Sequence, residues 1–239
     1  MAQKLLISGG SGRFAVEIRA QNEIYDVYAP HKYDMDITDL DSVKRAVDYF
    51  QPDIFLHAAA LTRPMVKHVH SPDMSIKLNI IGTSNVCLAC MNTDIKLVYL
   101  STDYVYPGVQ GNYKETDPVL PVNLYAWSKL GGECAVHMCP QSLILRICMI
   151  ERPFVHTKAL VDSQKNLMYI DEAAAICLKL FHKTGIINVG GAPTNVYDFV
   201  KRDQPNIDKI YRKDIQDVRM AVDSTMNLIK LQKVLSNEN

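Results

Sequence analysis

Five short runs, "KLLIS", "YDVYAP", "DIFLHAA", "KLVYLST" and "SLILRIC", recur through the first part of the chain, separated by longer stretches with helical spacing. Each run is rich in apolar, β-branched and aromatic residues and has the length of a strand. Strands that alternate with helices pair in parallel through crossovers, and a parallel sheet must be covered on both faces. The pattern predicts an α/β fold on a doubly wound parallel sheet. Helices are expected at about 13–22, 39–50, 73–92 and 123–139, the second capped by Asp39 and ended by Pro52.

Beyond Arg146 the periodicity fades through "ERPFVHTKALVDSQKN"; then "YIDEAAAICLKLFHK" reads as a helix and "GIINVGG" as a strand. Residues 1–148 form the main unit on this reading. Residues 149–239 form a mixed region that returns partly to the sheet and assembles a smaller lobe. The stretch "VDSTMNLIKLQKVL" has the spacing of an amphipathic helix, with Asp223 or Ser224 as its cap.

"KLLISGGSGRFAVEI" sets Gly9, Gly12 and Ala15 at three-residue spacing where the first strand turns into the first helix. Small residues there let the backbone approach a diphosphate, and the helix N-terminus offers it N–H groups and positive dipole character. Gly9, Ser11, Gly12, Arg13 and Phe14 are the candidate cofactor-binding turn of a Rossmann-type sheet. On spacing alone, an ordinary glycine-rich turn is the alternative. An acidic residue after the second strand would hold an NAD ribose, but "YAPHKYDMDITD" begins that loop with His31 and Lys32. With Arg13 they offer cations to a 2′-phosphate, which favours NADP(H) over NAD(H). Asp36 and Ile37 follow where an adenine can lie.

Lys plus Arg balance Asp plus Glu at 26 each, so no basic field announces nucleic acid or an anionic membrane surface. A small-molecule partner fits this balance better. The six cysteines are scattered, "MAQKLLISGG" lacks the apolar region of a signal peptide, and no run approaches the roughly 20 apolar residues of a membrane span. A soluble cytoplasmic protein with reduced thiols is expected, either monomeric or homodimeric.

In "YAWSK", Tyr125 and Lys129 are four residues apart and share a helix face. A free tyrosine, with a pKa near 10, is a poor acid at neutral pH; a nearby ammonium lowers that value and makes a usable proton donor. Lys129 can also reach a cofactor ribose. Both residue types are common on solvated helices, so the pair gains weight only from its surroundings. Upstream, "YLSTDYVY" puts Ser101 and Thr102 at the carboxyl end of a strand, where open α/β sheets bind ligands.

The succession of the glycine turn, "DIFLHAAALT", "KLNIIGTSN", "YLSTDYVYPG" and "YAWSK" resembles the extended short-chain dehydrogenase/reductase family. Within it, "ETDPVLPVNLYAWSKLGGE" and "INVGGAPTNVYDF" are most similar to dTDP-4-dehydrorhamnose reductases. The resemblance covers residues 4–148 well and the remainder thinly. It implies a reductase of a nucleotide-linked 4-keto-6-deoxy sugar, with Tyr125 as proton donor, Lys129 as its activator and ribose ligand, and Thr102 orienting the substrate. It further implies that Ala58, Ala59 and Ala60 line the cofactor, that Asn79 takes the place of a supporting asparagine, and that Asp103 and Tyr104 face the sugar. Tyr104 stands where a dehydratase of the family has Glu. Thr62 and Arg63, in "LTRP", fall in a loop also similar to that of a related non-catalytic regulatory subunit, where Arg63 can reach a substrate phosphate.

The chain departs from the family in two places. Only about twenty residues separate Arg146 from "YIDEAA", so the substrate lobe is trimmed, and "CMIERPF" replaces the family's Val-Tyr-Gly. A cofactor-binding regulatory subunit and a nucleotide-sugar epimerase are the competing readings. No metal is assigned: "CLAC" (Cys87 to Cys90) reads as buried small hydrophobes within a helix, and His68 and His70 of "KHVH" lie in a loop without further ligands. His57 reads as a hydrogen-bonded structural residue. Gly131 and Gly132 cost helix stability, on the order of 1 kcal/mol each, that close packing against another helix, of this or a second subunit, can offset.

Overall fold

The structure, a computed structural model, describes residues 2–236. Strands β1 (Gln3–Ser8), β2 (Tyr25–Tyr28), β3 (Ile54–His57), β4 (Lys96–Thr102) and β5 (Leu143–Ile147) appear where the apolar runs place them. Between them lie helices α1 (Arg13–Gln21), α2 (Leu40–Phe50), α3 (Lys67–His70), α4 (Pro72–Ser75), α5 (Gly82–Cys90) and α6 (Leu124–Val136). Asp39 caps α2 by accepting the Asp41 N–H, and Asn123 caps α6 by accepting that of Ala126. The helix expected over 73–92 is wound in three pieces. Between α4 and α5, Ile76–Ile81 forms a π-helix, a local widening that recurs at functional sites and here carries Asn79.

After β5 come β6 (Met149–Ile150), β7 (Lys158–Leu160), β8 (Gln164–Lys165), β9 (Met168–Tyr169), α7 (Ile170–Leu180), β10 (Gly185–Val189), β11 (Thr194–Asn195), α8 (Val196–Val200), β12 (Asp208–Ile210) and α9 (Ile229–Ser236). The main sheet has six parallel strands in the order β10-β5-β4-β3-β1-β2. Alternate side chains feed two cores, as period-two strands buried on both faces require. Leu5, Ile7, Leu56, Val98 and Leu145 pack against α1 and α7, while Leu6, Phe55, Leu97, Tyr99 and Ile144 pack against α2, α5 and α6. Cys87 and Cys90 are buried in the second of these cores as small hydrophobes.

The smaller lobe pairs β6 with β9, β7 with β12 and β8 with β11 over a third core built on Tyr106, Tyr113, Tyr169 and Phe199. The C-terminal helix starts later than expected, at Ile229, and Asp223 and Ser224 do not cap it. Bridges from Gln164 to Asp223 and from Tyr113 to Met226 hold that stretch extended, and the Ser224 hydroxyl is committed to Asp103. Asn227 accepts the Ile229 N–H instead. No helix among the described residues is long and apolar enough to cross a membrane.

Candidate active site

Because the strands are parallel, their carboxyl ends line one edge; the glycine turn and Ala58–Ala60 follow strands there, and Thr102 ends one. Gly9 has φ +71°, and a Cβ added to it would lie 2.8 Å from the Ala59 Cα, so glycine is required on both counts. Gly12 opens α1 with no side-chain cap and no acidic residue in the first turn. A diphosphate fits this cradle: small residues converge on a helix start that brings no anion of its own. Beneath it, Ser8 Oγ lies 2.7 Å from His57 Nδ1, and His57 Nε2 lies 3.0 Å from Thr83 Oγ1. Burial, aided by the nearby Lys129 charge, pushes the His57 pKa down to about 3, so this imidazole is neutral and structural, as its sequence position suggests.

Asn79 is buried and fully engaged. Its side chain exchanges hydrogen bonds with the Leu61 N–H (2.8 Å) and C=O (2.9 Å) and donates to Ser128 Oγ (2.8 Å), which itself donates to the Tyr125 C=O. It fixes the loop after β3 against the helix that carries Tyr125. Gly132 and Gly131 complete that seam within one chain: a Cβ on Gly132 would press on the Tyr99 hydroxyl and the Asn79 carbonyl, and one on Gly131 would meet Ile80. No second subunit is needed to explain them.

Thr102 and Tyr125 come together, but the expected activation by Lys129 takes another form. Burial and then the Asp103 carboxylate raise the Tyr125 phenol above its ordinary value, and the Thr102 hydroxyl draws it back. Lys129 rests against another ring. Its ammonium sits 4.1 Å over the Tyr99 ring, and burial, partly opposed by Glu133, lowers its pKa to about 7.

Asp103 and Tyr104 are the residues expected to face the sugar. Both are buried; Asp103 Oδ1 accepts from Thr102 Oγ1 (3.2 Å), while Oδ2 accepts from Lys165 Nζ (2.5 Å) and Ser224 Oγ (2.6 Å). Lys165 also lies 3.6 Å over the Tyr104 ring. Burial alone would discharge this lysine, but the Asp103 carboxylate outweighs burial and holds it protonated. Thus a lysine and a serine of the smaller lobe orient the acid that orients Thr102. Nothing in "DSQKNLMY" signals Lys165: its role depends on a contact 62 residues away.

Two of the three cations expected at a 2′-phosphate are engaged with carboxylates. His31 is exposed, Lys32 pairs with Asp36 at 3.6 Å, and Arg13 turns away to Glu151. Asp36 accepts from Thr38, and Ile37 is buried in the core against Gly82. Phe14 is likewise a core residue, so only its backbone can serve the turn, whereas Ser11 is exposed. Arg63 joins Arg13 on Glu151, and Thr62 is exposed beside it. "KHVH" is a short helix rather than a loop; His68 is buried, 2.7 Å from Ser75 Oγ and edge-on to the Tyr125 ring. Among the described residues no group of His, Cys, Asp and Glu is placed to hold a metal.

A hollow of ≈ 260 Å³ opens beside Tyr125, between Met65, His68 and Arg219. A larger one, ≈ 610 Å³, shares Val218 and Arg219 with it and continues past Tyr211, Arg212 and Lys213 on the smaller lobe.

Residues 3–160 match the family model described as RmlD substrate binding domain. The chain is 32% identical over 152 residues to dTDP-4-dehydrorhamnose reductase of Aggregatibacter actinomycetemcomitans, covering 60% of this chain and 50% of that protein. It is 28% identical over 187 residues to methionine adenosyltransferase 2 subunit beta of Danio rerio, covering 73% and 56%. The chain thus spans about half the length of the curated relatives it matches. Among solved structures it superposes on a hypothetical dTDP-4-dehydrorhamnose reductase from Sulfolobus tokodaii with a TM-score of 0.86 at 25% identity, covering 98% and 95% of the two chains. The Bacillus anthracis str. Ames dTDP-4-dehydrorhamnose reductase, crystallised with NADP, gives the same score at 23% identity, covering 98% and 92%, which speaks for the fold. With the family match running over residues 3–160, which hold the glycine cradle and five of the six strands of the Rossmann-type sheet, the chain belongs to the RmlD substrate binding domain family.

Proposed function

We propose that the chain is an NADPH-dependent reductase of a nucleotide-linked 4-keto-6-deoxy sugar. The observation that carries this reading is the convergence of Thr102 and Tyr125 at the carboxyl edge of the sheet, beside a glycine cradle fitted to a diphosphate. Gly9, Gly12 and Ala58–Ala60 hold the dinucleotide, which supplies hydride when bound. Tyr125 gives a proton to the ketone oxygen. It is protonated at neutral pH, the form a donor needs, but burial and Asp103 make it a weaker acid than a free phenol, so its proton release depends on positive charge supplied by Lys129. Lys129, poised near 7, gains its proton in the field of an anionic cofactor and then neutralises the phenolate left behind. The substrate's sugar occupies the hollow at Tyr125, and its nucleotide extends past Arg219 towards Tyr211, Arg212 and Lys213, which offer cations and an aromatic face.

A second reading, a cofactor-binding subunit without turnover, is favoured by the likeness to methionine adenosyltransferase 2 subunit beta. One experiment separates the two. NADPH absorbance is followed after adding a dTDP-4-keto-6-deoxyhexose, made in situ with its epimerase, to the wild type and to Tyr125→Phe. Consumption by the wild type, reduced about 10²–10⁴-fold in the variant, supports the reductase. Equal rates would remove Tyr125 from the chemistry. Tight NADPH binding with no consumption across nucleotide sugars would transfer the reading to the regulatory subunit.

A further inference from the structure

Glu151 is an acid with two arginines. It directly follows β6, in "CMIERPF", and its carboxylate receives both Arg13, from the glycine turn, and Arg63, from the loop after β3. The burial is unequal: the Glu151 side chain is 10% exposed, against 59% for Arg13 and 35% for Arg63. An incoming anion can therefore reach the guanidiniums without opening the core. Only one of their two positive charges is neutralised by Glu151, and Arg13 immediately follows Gly12 at the start of α1, a helix with no acid in its first turn.

We propose that Glu151 is an internal substitute for a phosphoryl group: it keeps Arg13 and Arg63 converged, and a dinucleotide's diphosphate takes both guanidiniums from it. The inference rests on the dinucleotide binding proposed above. A guanidinium engages carboxylate and phosphate with the same planar fork, so the exchange needs no new side-chain geometry, and the diphosphate brings more negative charge than the acid it replaces. Wild-type affinity is accordingly held down by competition from within the chain, and Glu151 acts as a positioning residue until the diphosphate takes its place.

The test uses the full chain and calorimetric titration with NADP+ and, separately, with inorganic pyrophosphate. Glu151→Gln preserves shape and removes the competing charge. It is expected to bind each probe roughly 3–10-fold more tightly at low salt, with the gain shrinking as ionic strength rises. Arg63→Gln should bind more weakly than wild type, and in that background Glu151→Gln should gain less. Unchanged or weaker binding by a folded Glu151→Gln protein would overturn the proposal and leave the acid as a structural brace. If neither protein binds NADP+, the dinucleotide reading falls by itself, and pyrophosphate decides the exchange: tighter binding by the variant sustains it, and no tightening or no binding refutes it.

Discussion

Replacing Gly132 by alanine sets a gain in helix propensity against a steric cost that the packing makes specific. Alanine in a helix interior is worth about 1 kcal/mol over glycine. Yet the new Cβ would press on the Tyr99 hydroxyl and lie 2.9 Å from the Asn79 carbonyl oxygen. Tyr99 is fully buried, and its hydroxyl donates to the Lys129 C=O at 3.1 Å, so it has no room to retreat and a bond to lose. Overpacking of this kind costs about 1–3 kcal/mol, and an unsatisfied buried hydroxyl about 1–3 kcal/mol more. The net expectation is a destabilisation of about 1–5 kcal/mol, read by urea unfolding. Gly131→Ala is the control: its Cβ meets the mobile end of Ile80, and the propensity gain should leave stability unchanged or raised by up to about 1 kcal/mol. In a Tyr99→Phe background, where the obstructing hydroxyl is gone, Gly132→Ala should cost less by about 1 kcal/mol. A Gly132→Ala protein as stable as wild type, or one equally destabilised with and without the Tyr99 hydroxyl, would refute the reasoning.

Three further predictions concern buried charge. His57 titrates near 3 in the fold and near 6.5 when unfolded, so the unfolded chain takes up the proton first; stability should fall as pH drops from about 6.5 towards 3, and His57→Gln should flatten that slope. Lys129 has the same sign at higher pH, with about 7 in the fold against about 10.5 unfolded: stability should rise from pH 7 to 10 and rise less in Lys129→Met, and parallel unfolding curves would contradict both assignments. Arg146 forms a two-bond pair with Glu133 (3.1 and 2.8 Å) and donates to the Tyr106 hydroxyl, all buried, so Arg146→Met should cost about 3–5 kcal/mol by denaturant unfolding. Adding Glu133→Leu should recover part of that loss, because it removes the stranded carboxylate; a double variant no better than the single would count against the explanation.

The main sheet was legible because its signals are local. Strand runs such as "KLVYLST" and "SLILRIC" carry their own period, Asp39 caps the helix that begins beside it, and Gly9 and Gly12 mark a turn whose backbone demands them within a few residues. Tyr125 and Lys129 share a helix and Thr102 ends a strand, so these candidates could be named from spacing and resemblance. The smaller lobe was less legible, since its strands are two or three residues long and pair with distant partners.

What the sequence determined by itself, then, was the alternation of strands and helices and the glycine cradle, set by backbone preferences and side-chain period; the candidate proton donor was named only with the help of the family resemblance. Tertiary structure alone decided the charges around that donor. It set Lys129 over Tyr99, put Lys165 and Ser224 behind Asp103, and paired Arg13 and Arg63 with Glu151 and Lys32 with Asp36. The physical reason is that a pKa or an ion pair depends on distance and desolvation in space, and residues as far apart as 13 and 151 acquire a separation only when the chain has folded.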